Sequence, residues 1–526
     1  MNRAAFLIFL CIVLPGASQT ARAGAPFGTA TAAAVWGTAL GYIAPRSLQP
    51  LTIPQMTIWG LEGLTALDPD LNATLQSGQI RLYGPDRLLI AVPAPPTGDA
   101  QGWGKAAAAV AAAGYAASAA LRQAGTQGLI SNFFDELFNH FDPYSRYEPP
   151  EQAAREELMI TGIASAGLTL GRNGNQVIIA SVSQDSPASE AGLRPGMRVL
   201  AINGHPAYPS RLAVLNDDLN GLLGSKVILR VEDPQSDSSA ADLALTFAFV
   251  PPQTVFPERF SQDQNVLALK ISAFNKGTSD QFLAALVAGL ADPAPAGLVI
   301  DLRGNRGGIL RQAVLTADSL LPSGTIAIAA GRDPDADQRL MAEGGDVTGG
   351  LPLVVLVDGQ TASAAEILAA ALADNRRGVV IGSATLGKGL VQAVTALPDG
   401  GELFVTWSRV LAPRGWPLQT LGVIPQVCTS LGEQALAAQL AALRQGRNLM
   451  AGPLAAARAS RAPLPVDRIL AIRNACPAAI GGDFDISAAF SLLAMPAAYQ
   501  AALLPPAQAA GVPVARAPAA QAAGAH

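Results

Sequence analysis

The chain has 526 residues, a formal charge of −5 from 35 Lys+Arg against 40 Asp+Glu, 14% charged residues and 50% hydrophobic ones. That length suggests about two to four domains. The mildly acidic balance, with no long basic run, argues against a protein whose main partner is nucleic acid, because phosphate neutralisation needs clustered Lys and Arg.

Residues 4–15 form the one dense apolar run, too short for the roughly 20 residues that span a bilayer. With Arg3 before it and Ala21-Arg22-Ala23 after it, the run reads as residues 1–23 of a secretory signal, so the protein is expected to be exported. Cys11 leaves with that segment. Cys428 and Cys476 then stand in an oxidising compartment, where one disulfide between them is the expectation and two buried small hydrophobes the alternative.

Residues 24–158 read as a mainly helical N-terminal region. Helical character is expected around 104–123, and Phe133, Phe134, Leu137 and Phe138 suggest an amphipathic helix ending near Asp142-Pro143. From 159 to 250 short apolar runs (176–182, 198–204, 226–231, 243–250) alternate with Gly/Pro/Asp turns, the pattern of a compact β-rich module. Residues 251–430 alternate apolar strands with helical segments near 278–290, 308–320 and 362–374, which favours an α/β core with buried strands. A helical extension is expected over 431–503. The Ala/Pro-rich tail 504–526 lacks the large apolar residues needed to offset ordering entropy, and is expected to be disordered.

The three histidines, His140, His205 and His526, all lie outside the α/β segment. A Ser-His-Asp hydrolase would need a base there, and no G-x-S-x-G or S-x-x-K motif is present. Zinc-ligand spacing, a P-loop and a dinucleotide fingerprint are also absent, so no metal and no cofactor are expected. Lysine is scarce, namely Lys105, Lys226, Lys270, Lys276 and Lys388, and only Lys388 has an unusual setting, between Gly387 and Gly389 among apolar residues. A lysine desolvated there can lose its proton and act as a general base; a glycine-flanked surface lysine is the plain alternative.

Ser363 follows the apolar strand 351–358 and a Gly359-Gln360 turn, at the start of an Ala/Leu helix. The Ala364 N–H at that helix start is suited to stabilise an oxyanion, while Ser363-x-x-Glu366 also fits a capping box in which the serine only satisfies backbone donors. A second glycine-rich strand end, Asp301-Leu302-Arg303-Gly304-Asn305-Arg306-Gly307-Gly308, can offer another donor from Gly307 or Gly308. It reads equally well as a tight turn with Asp301 and Arg303 paired.

Taken together these segments resemble the carboxyl-terminal processing (tail-specific) serine peptidases. The resemblance covers roughly residues 130–427. It runs through Asp142-Pro143-Tyr144-Ser145, Ser186-Pro187-Ala188, Ala191-Gly192-Leu193-Arg194-Pro195-Gly196 and Ile202-Asn203-Gly204. It continues with Asp301-Leu302-Arg303, Gly307-Gly308, Ser363-Ala364-Ala365-Glu366, Gly387-Lys388-Gly389, Gln392, and Pro413, Gly415, Gly422 and Pro425.

The resemblance implies an α/β peptidase core of the ClpP/crotonase-like kind, with an inserted or preceding β-rich PDZ domain at 159–250. It implies Ser363 as nucleophile, Lys388 as base, Gln392 orienting the lysine, and oxyanion donors at Ala364 and Gly307 or Gly308. Gly167 and Leu168 would lie near the carboxylate of a substrate tail. Implied partners are protein or peptide substrates with unstructured C-termini, with a possible homo-oligomer and a possible adaptor protein; the implied location is the periplasm, with membrane association left open. Departures from the family pattern are Met197 in place of an acid, the loop Gly162-Ile163-Ala164-Ser165-Ala166-Gly167-Leu168, Gly304 and Arg306 in place of Asn and Pro, and Gln426 in place of an acid. The alternative is a catalytically silent PDZ scaffold that binds protein C-termini.

Overall fold

The computed structural model describes residues 26–161, 163–183, 186–236, 239–260, 265–291 and 293–506. The expected secretory signal, and the expected disordered tail from residue 507 on, lie outside the described residues. The chain divides into two compact units, one holding the residues up to Tyr42, Leu51–Pro143 and Leu397–Asp399, the other Ile43–Pro50, Tyr144–Ala396 and the residues from Gly400 on.

In the first unit the Ala-rich sequence forms helices that pack at very close range. A Cβ on Gly104 would stand 2.4 Å from the Gly37 nitrogen and 2.6 Å from the Ala33 oxygen, so only glycine permits this crossing. Trp36 stacks on Phe133 with ring centroids 4.5 Å apart. Where the sequence suggests one helix over 104–123, the chain breaks at Ser118 between Ala100–Ala117 and Ala119–Asn139, and the second stretch is itself kinked at Gly125, whose backbone is non-helical at φ +70° and ψ −176°. Ser118 separates them: its backbone is extended, and its side chain caps the second helix by accepting the Leu121 N–H at 3.3 Å. A three-stranded antiparallel sheet (Asn72–Gln76, Gln79–Tyr83, Leu88–Pro93) also belongs here, unannounced by the helical composition.

In the second unit residues 163–250 form the β-rich module. Its main antiparallel sheet runs in the order Ala241–Thr246, Lys226–Glu232, Arg198–Ile202, Gln176–Val182, Leu168–Asn173. Alternation along Lys226–Glu232 buries Val227, Leu229 and Val231 on one face, the period-2 pattern of a half-covered strand. Helix Leu212–Asp217 packs beside Leu168–Asn173, the last strand in the order.

The α/β core is a six-stranded sheet ordered Val255–Phe260, Val266–Ile271, Gly297–Asp301, Leu353–Val357, Val379–Gly382, Val427–Cys428. The first pair is antiparallel and the rest are parallel. Every residue of Gly297–Asp301, Leu353–Val357 and Val379–Gly382 is buried, as expected for parallel strands covered on both faces. A second, antiparallel sheet carries Gln338–Ala342, Gly324–Gly331, Glu402–Leu411 and Leu390–Ala396. The glycine loop, the serine turn and the lysine loop each leave the C-terminal end of one of three adjacent parallel strands, the edge where open α/β sheets place their ligands.

Candidate active site

Asp358 builds the turn that presents Ser363. Its Oδ1 accepts the N–H groups of Gln360 and Thr361, both at 3.0 Å, closing an Asx turn directly after the strand. Thr361 donates its hydroxyl to the Leu302 carbonyl at 2.9 Å and so ties this turn to the glycine loop. Ser363 then takes φ +55° and ψ −120° before helix Ala364–Asp374. A non-glycine residue in that region stores on the order of 1–3 kcal/mol of strain, which persists only where the surroundings enforce it. The Ser363 hydroxyl makes no capping hydrogen bond to the helix, whereas the Ser363 N–H donates to Glu366 Oε2 at 2.8 Å. Of the capping box only the glutamate half is hydrogen-bonded, and the hydroxyl is left for other work.

Glu366 is the centre of the site. Fully buried, it accepts the N–H of Ser363 and of Lys388 on the same oxygen, Oε2, each at 2.8 Å. Its Oε1 accepts the Gly387 N–H at 2.7 Å and the Thr385 hydroxyl in a very short bond. Thr385 Oγ1 itself accepts the Val423 N–H at 2.7 Å, so its proton is free to point at the carboxylate. Burial pushes the Glu366 pKa up, and the donors from Thr385, Lys388, Gly387 and Ser363 pull it back towards the ionised form. One carboxylate thus joins the serine turn to the lysine loop, and the Leu386 N–H adds a bond to the Thr361 carbonyl at 2.9 Å.

Lys388 places its Nζ 4.9 Å from the centroid of the Tyr144 ring, within the Asp142-Pro143-Tyr144-Ser145 stretch. Gln392 lies at a β-bulge in strand Leu390–Ala396 and donates to Thr406 Oγ1 at 3.3 Å. The Thr406 N–H donates in turn to Ser145 Oγ at 3.0 Å.

In the glycine loop, a Cβ on Gly307 would lie 2.7 Å from the Ser363 Cβ and 3.0 Å from the Ala364 nitrogen, so the missing side chain lets this loop reach the serine turn. The two glycines are not equivalent. The Gly307 N–H donates to Asn305 Oδ1 at 2.8 Å, while among the described residues no group accepts the N–H of Gly308 or of Ala364. Asn305, fully buried, also donates to the Ile271 carbonyl at 2.9 Å, and its own carbonyl accepts the Ala362 N–H at 2.9 Å. Among the described residues no group of three His, Cys, Asp or Glu side chains is placed to hold a metal ion.

The C-terminal extension is strapped across all three loops. Cys476, joined to Cys428 by a disulfide with Cα atoms 5.7 Å apart, accepts the Ala384 N–H on its carbonyl at 3.3 Å. Ala479 accepts the Gly359 N–H at 2.8 Å and exchanges hydrogen bonds with Ser383 Oγ. Asp485 pairs with Arg303 at 3.2 Å. Burial works against the Arg303 charge, but Asp301 and then Asp485 outweigh it and raise its pKa. Arg473 donates to the Leu421 carbonyl at 2.8 Å; burial lowers its pKa and the negative charge of Glu366 partly restores it. The disulfide closes a loop of sequence separation 48. Replacing both cysteines with serine is expected to remove about 2–4 kcal/mol of stability, read from urea unfolding of the oxidised parent and the variant.

In the β-rich module the Gly167 N–H donates to Ser165 Oγ at 2.8 Å, and Leu168 begins the last strand of its sheet order. These two residues stand in a part of the fold separate from the Ser363 and Lys388 loops.

Sequence reasoning named Ser363, Lys388 and the two glycines but missed Glu366, Asn305, Thr385 and Arg473 as parts of the site. The available signal was Glu366 itself: an acid in an otherwise Ala/Leu/Ile helical stretch with no basic residue within a turn has to find its partners elsewhere in the fold.

Residues 265–429 match peptidase family S41. The chain is 32% identical over 304 residues to the chloroplastic C-terminal processing peptidase of Tetradesmus obliquus, a match covering 54% of this chain and 64% of that protein. It is 32% identical over 292 residues to the carboxyl-terminal-processing protease of Synechocystis sp., covering 54% and 67%. The solved photosystem II D1 C-terminal processing protease is 29% identical and covers 59% of this chain and 84% of that one, at a TM-score of 0.33. The chain belongs to peptidase family S41, with carboxyl-terminal-processing proteases among its relatives. It spans less than two thirds of the length of the Tetradesmus relative. The strap over 473–485 lies beyond the residues that match the family.

Proposed function

We propose that this protein is an exported serine endopeptidase that cleaves protein substrates near their C-termini with a Ser363-Lys388 dyad. The observation that carries the reading is the single Glu366 oxygen holding the backbone of both residues, beside a serine whose strained turn leaves its hydroxyl without a cap bond. Neutral Lys388 takes the Ser363 proton as Oγ attacks the substrate carbonyl. The resulting oxyanion rests on the Ala364 and Gly308 amides, and the protonated lysine passes its proton to the leaving amine. Water, deprotonated by the same lysine, then attacks the acyl-enzyme, releases the acid and returns the proton to Ser363. Substrate that covers Lys388 excludes water and favours the neutral amine. Gln392, to which the resemblance gives the task of orienting the lysine, donates instead to Thr406 Oγ1 and so anchors the strand that follows the Lys388 loop.

In this reading residues 1–23 are the signal peptide and the mature enzyme is periplasmic. In the same reading residues 24–158 form the mainly helical region, 159–250 a PDZ domain, 251–430 a ClpP/crotonase-like core and 431–503 the extension, followed by the tail 504–526. Further partners in this reading are a second copy of the chain and an adaptor protein.

The PDZ domain captures a substrate's free C-terminus by strand addition to Leu168–Asn173. Mature protein incubated with a disordered polypeptide ending in Ala-Ala should yield fragments, resolved by mass spectrometry. The C-terminally amidated polypeptide should be cut at least about tenfold more slowly at low concentration, since it lacks the charge-assisted hydrogen bonds of the carboxylate. Equal rates would remove tail capture and leave the peptidase. Binding of the tail without cleavage would favour the silent scaffold.

A further inference from the structure

Resting on the reading of residues 159–250 as a tail-binding module, we propose that Asn216 is a self-occluding residue of its groove that sets the affinity for tails. Its carboxamide occupies the place of the peptide unit that a bound tail must supply. The strand Leu168–Asn173 is the last in its sheet order, and its outer edge is where an extended chain adds. Helix Leu212–Asp217 lies beside that strand and supplies Asn216. Asn216 Oδ1 accepts the Leu170 N–H at 2.8 Å, and Asn216 Nδ2 donates to the Leu170 carbonyl at 3.2 Å and to the Leu212 carbonyl at 3.0 Å.

A carboxamide carries the same acceptor and donor as a backbone peptide unit, and here it engages both outward groups of one strand residue. In the loop that leads into the strand the Gly167 N–H donates to Ser165 Oγ at 2.8 Å. The edge is therefore paired from within at Leu170. A tail that docks has to exchange two existing hydrogen bonds at Leu170 for two of its own, an exchange that is close to neutral. A tail residue without an N–H, such as proline opposite Leu170, would leave the Leu170 carbonyl without a donor. The bonds that Asn216 makes to Leu170 in the free groove are given up whatever docks, so Asn216 lowers the affinity for every tail alike, while the need for a donor opposite the Leu170 carbonyl is set by the strand itself.

The test uses the full mature chain carrying Ser363→Ala, to prevent cleavage, and a fluorescein-labelled decapeptide of disordered sequence ending in Ala-Ala with a free carboxylate, followed by anisotropy. Asn216→Ala should bind the peptide on the order of tenfold more tightly, because two neutral hydrogen bonds no longer have to be given up. Asn216→Asp, which keeps the acceptor and loses the donor, should fall between parent and alanine variant. Alanine favours a helix more than asparagine does, so the helix should survive the change, and a thermal melt checks this. Equal or weaker binding by the alanine variant, with a measurable parent affinity, would overturn the proposal and leave tail capture standing, with Asn216 as a mere edge cover. Absence of binding by the parent and both variants would overturn tail capture and the proposal together.

Discussion

Ser363→Ala is expected to abolish cleavage of the Ala-Ala polypeptide while leaving the fold as stable as before. Loss of a nucleophile that acts as a unit with its base costs on the order of 10⁴- to 10⁶-fold in rate. A serine that merely capped the helix would instead cost about 0.5–2 kcal/mol of stability on replacement by alanine. The Ser363 hydroxyl makes no such bond, and alanine keeps both the strained φ of +55° and the N–H that Glu366 accepts. The expected stability change is therefore below about 0.5 kcal/mol, the range of substitutions that remove no buried contact. Cleavage assays and urea unfolding on the same preparation separate the two roles. Retained cleavage, or a stability loss of a full cap, would return Ser363 to a structural part.

Glu366→Gln should cost both activity and stability, because the amide keeps the volume and reverses half of the hydrogen bonding. Four donors converge on the carboxylate, from Ser363, Thr385, Gly387 and Lys388. A carboxamide accepts on one atom only and turns its NH₂ towards two of those donors. Leaving a buried donor unsatisfied costs about 1–3 kcal/mol each, so a loss of roughly 2–5 kcal/mol is expected. The released lysine loop would misplace Lys388 against Ser363, and a misplacement of about 1 Å costs on the order of a hundredfold in rate. On the proposed function the signature is a fall in kcat with KM little changed, since the hydrogen bonds of Glu366 among the described residues go to the serine turn and the lysine loop and not to the β-rich module. A fall confined to KM would show that the two loops keep their geometry without the clip.

Much of the core was legible because its signals are local. Buried parallel strands announce themselves as continuous apolar runs, and helix Ala364–Asp374 as an Ala/Leu stretch behind a Gly-Gln turn. Ser363 and Lys388 stood out through the family resemblance, because by their own surroundings a helix cap and a glycine-flanked surface lysine remained open readings. The helical region was read less well. Ser118 divides what looks like one helix, and the sheet of Asn72–Pro93 has the mixed polarity of a half-exposed meander, which composition does not separate from loop.

Ordering of strands and helices, the serine at a strand-to-helix turn and the glycine-flanked lysine are properties the sequence by itself determined, because each depends on side chains within a few residues of one another. Only the tertiary structure decided which groups are already engaged. Asn305 takes the Gly307 N–H and leaves that of Gly308; Glu366 gathers donors from as far as 22 residues away; Arg303 reaches Asp485 across 182 residues; and Asn216 covers Leu170 across 46. A hydrogen bond is specified by a separation of about 3 Å and a direction, and for residues far apart in the chain those quantities are set by how the sheets and helices pack.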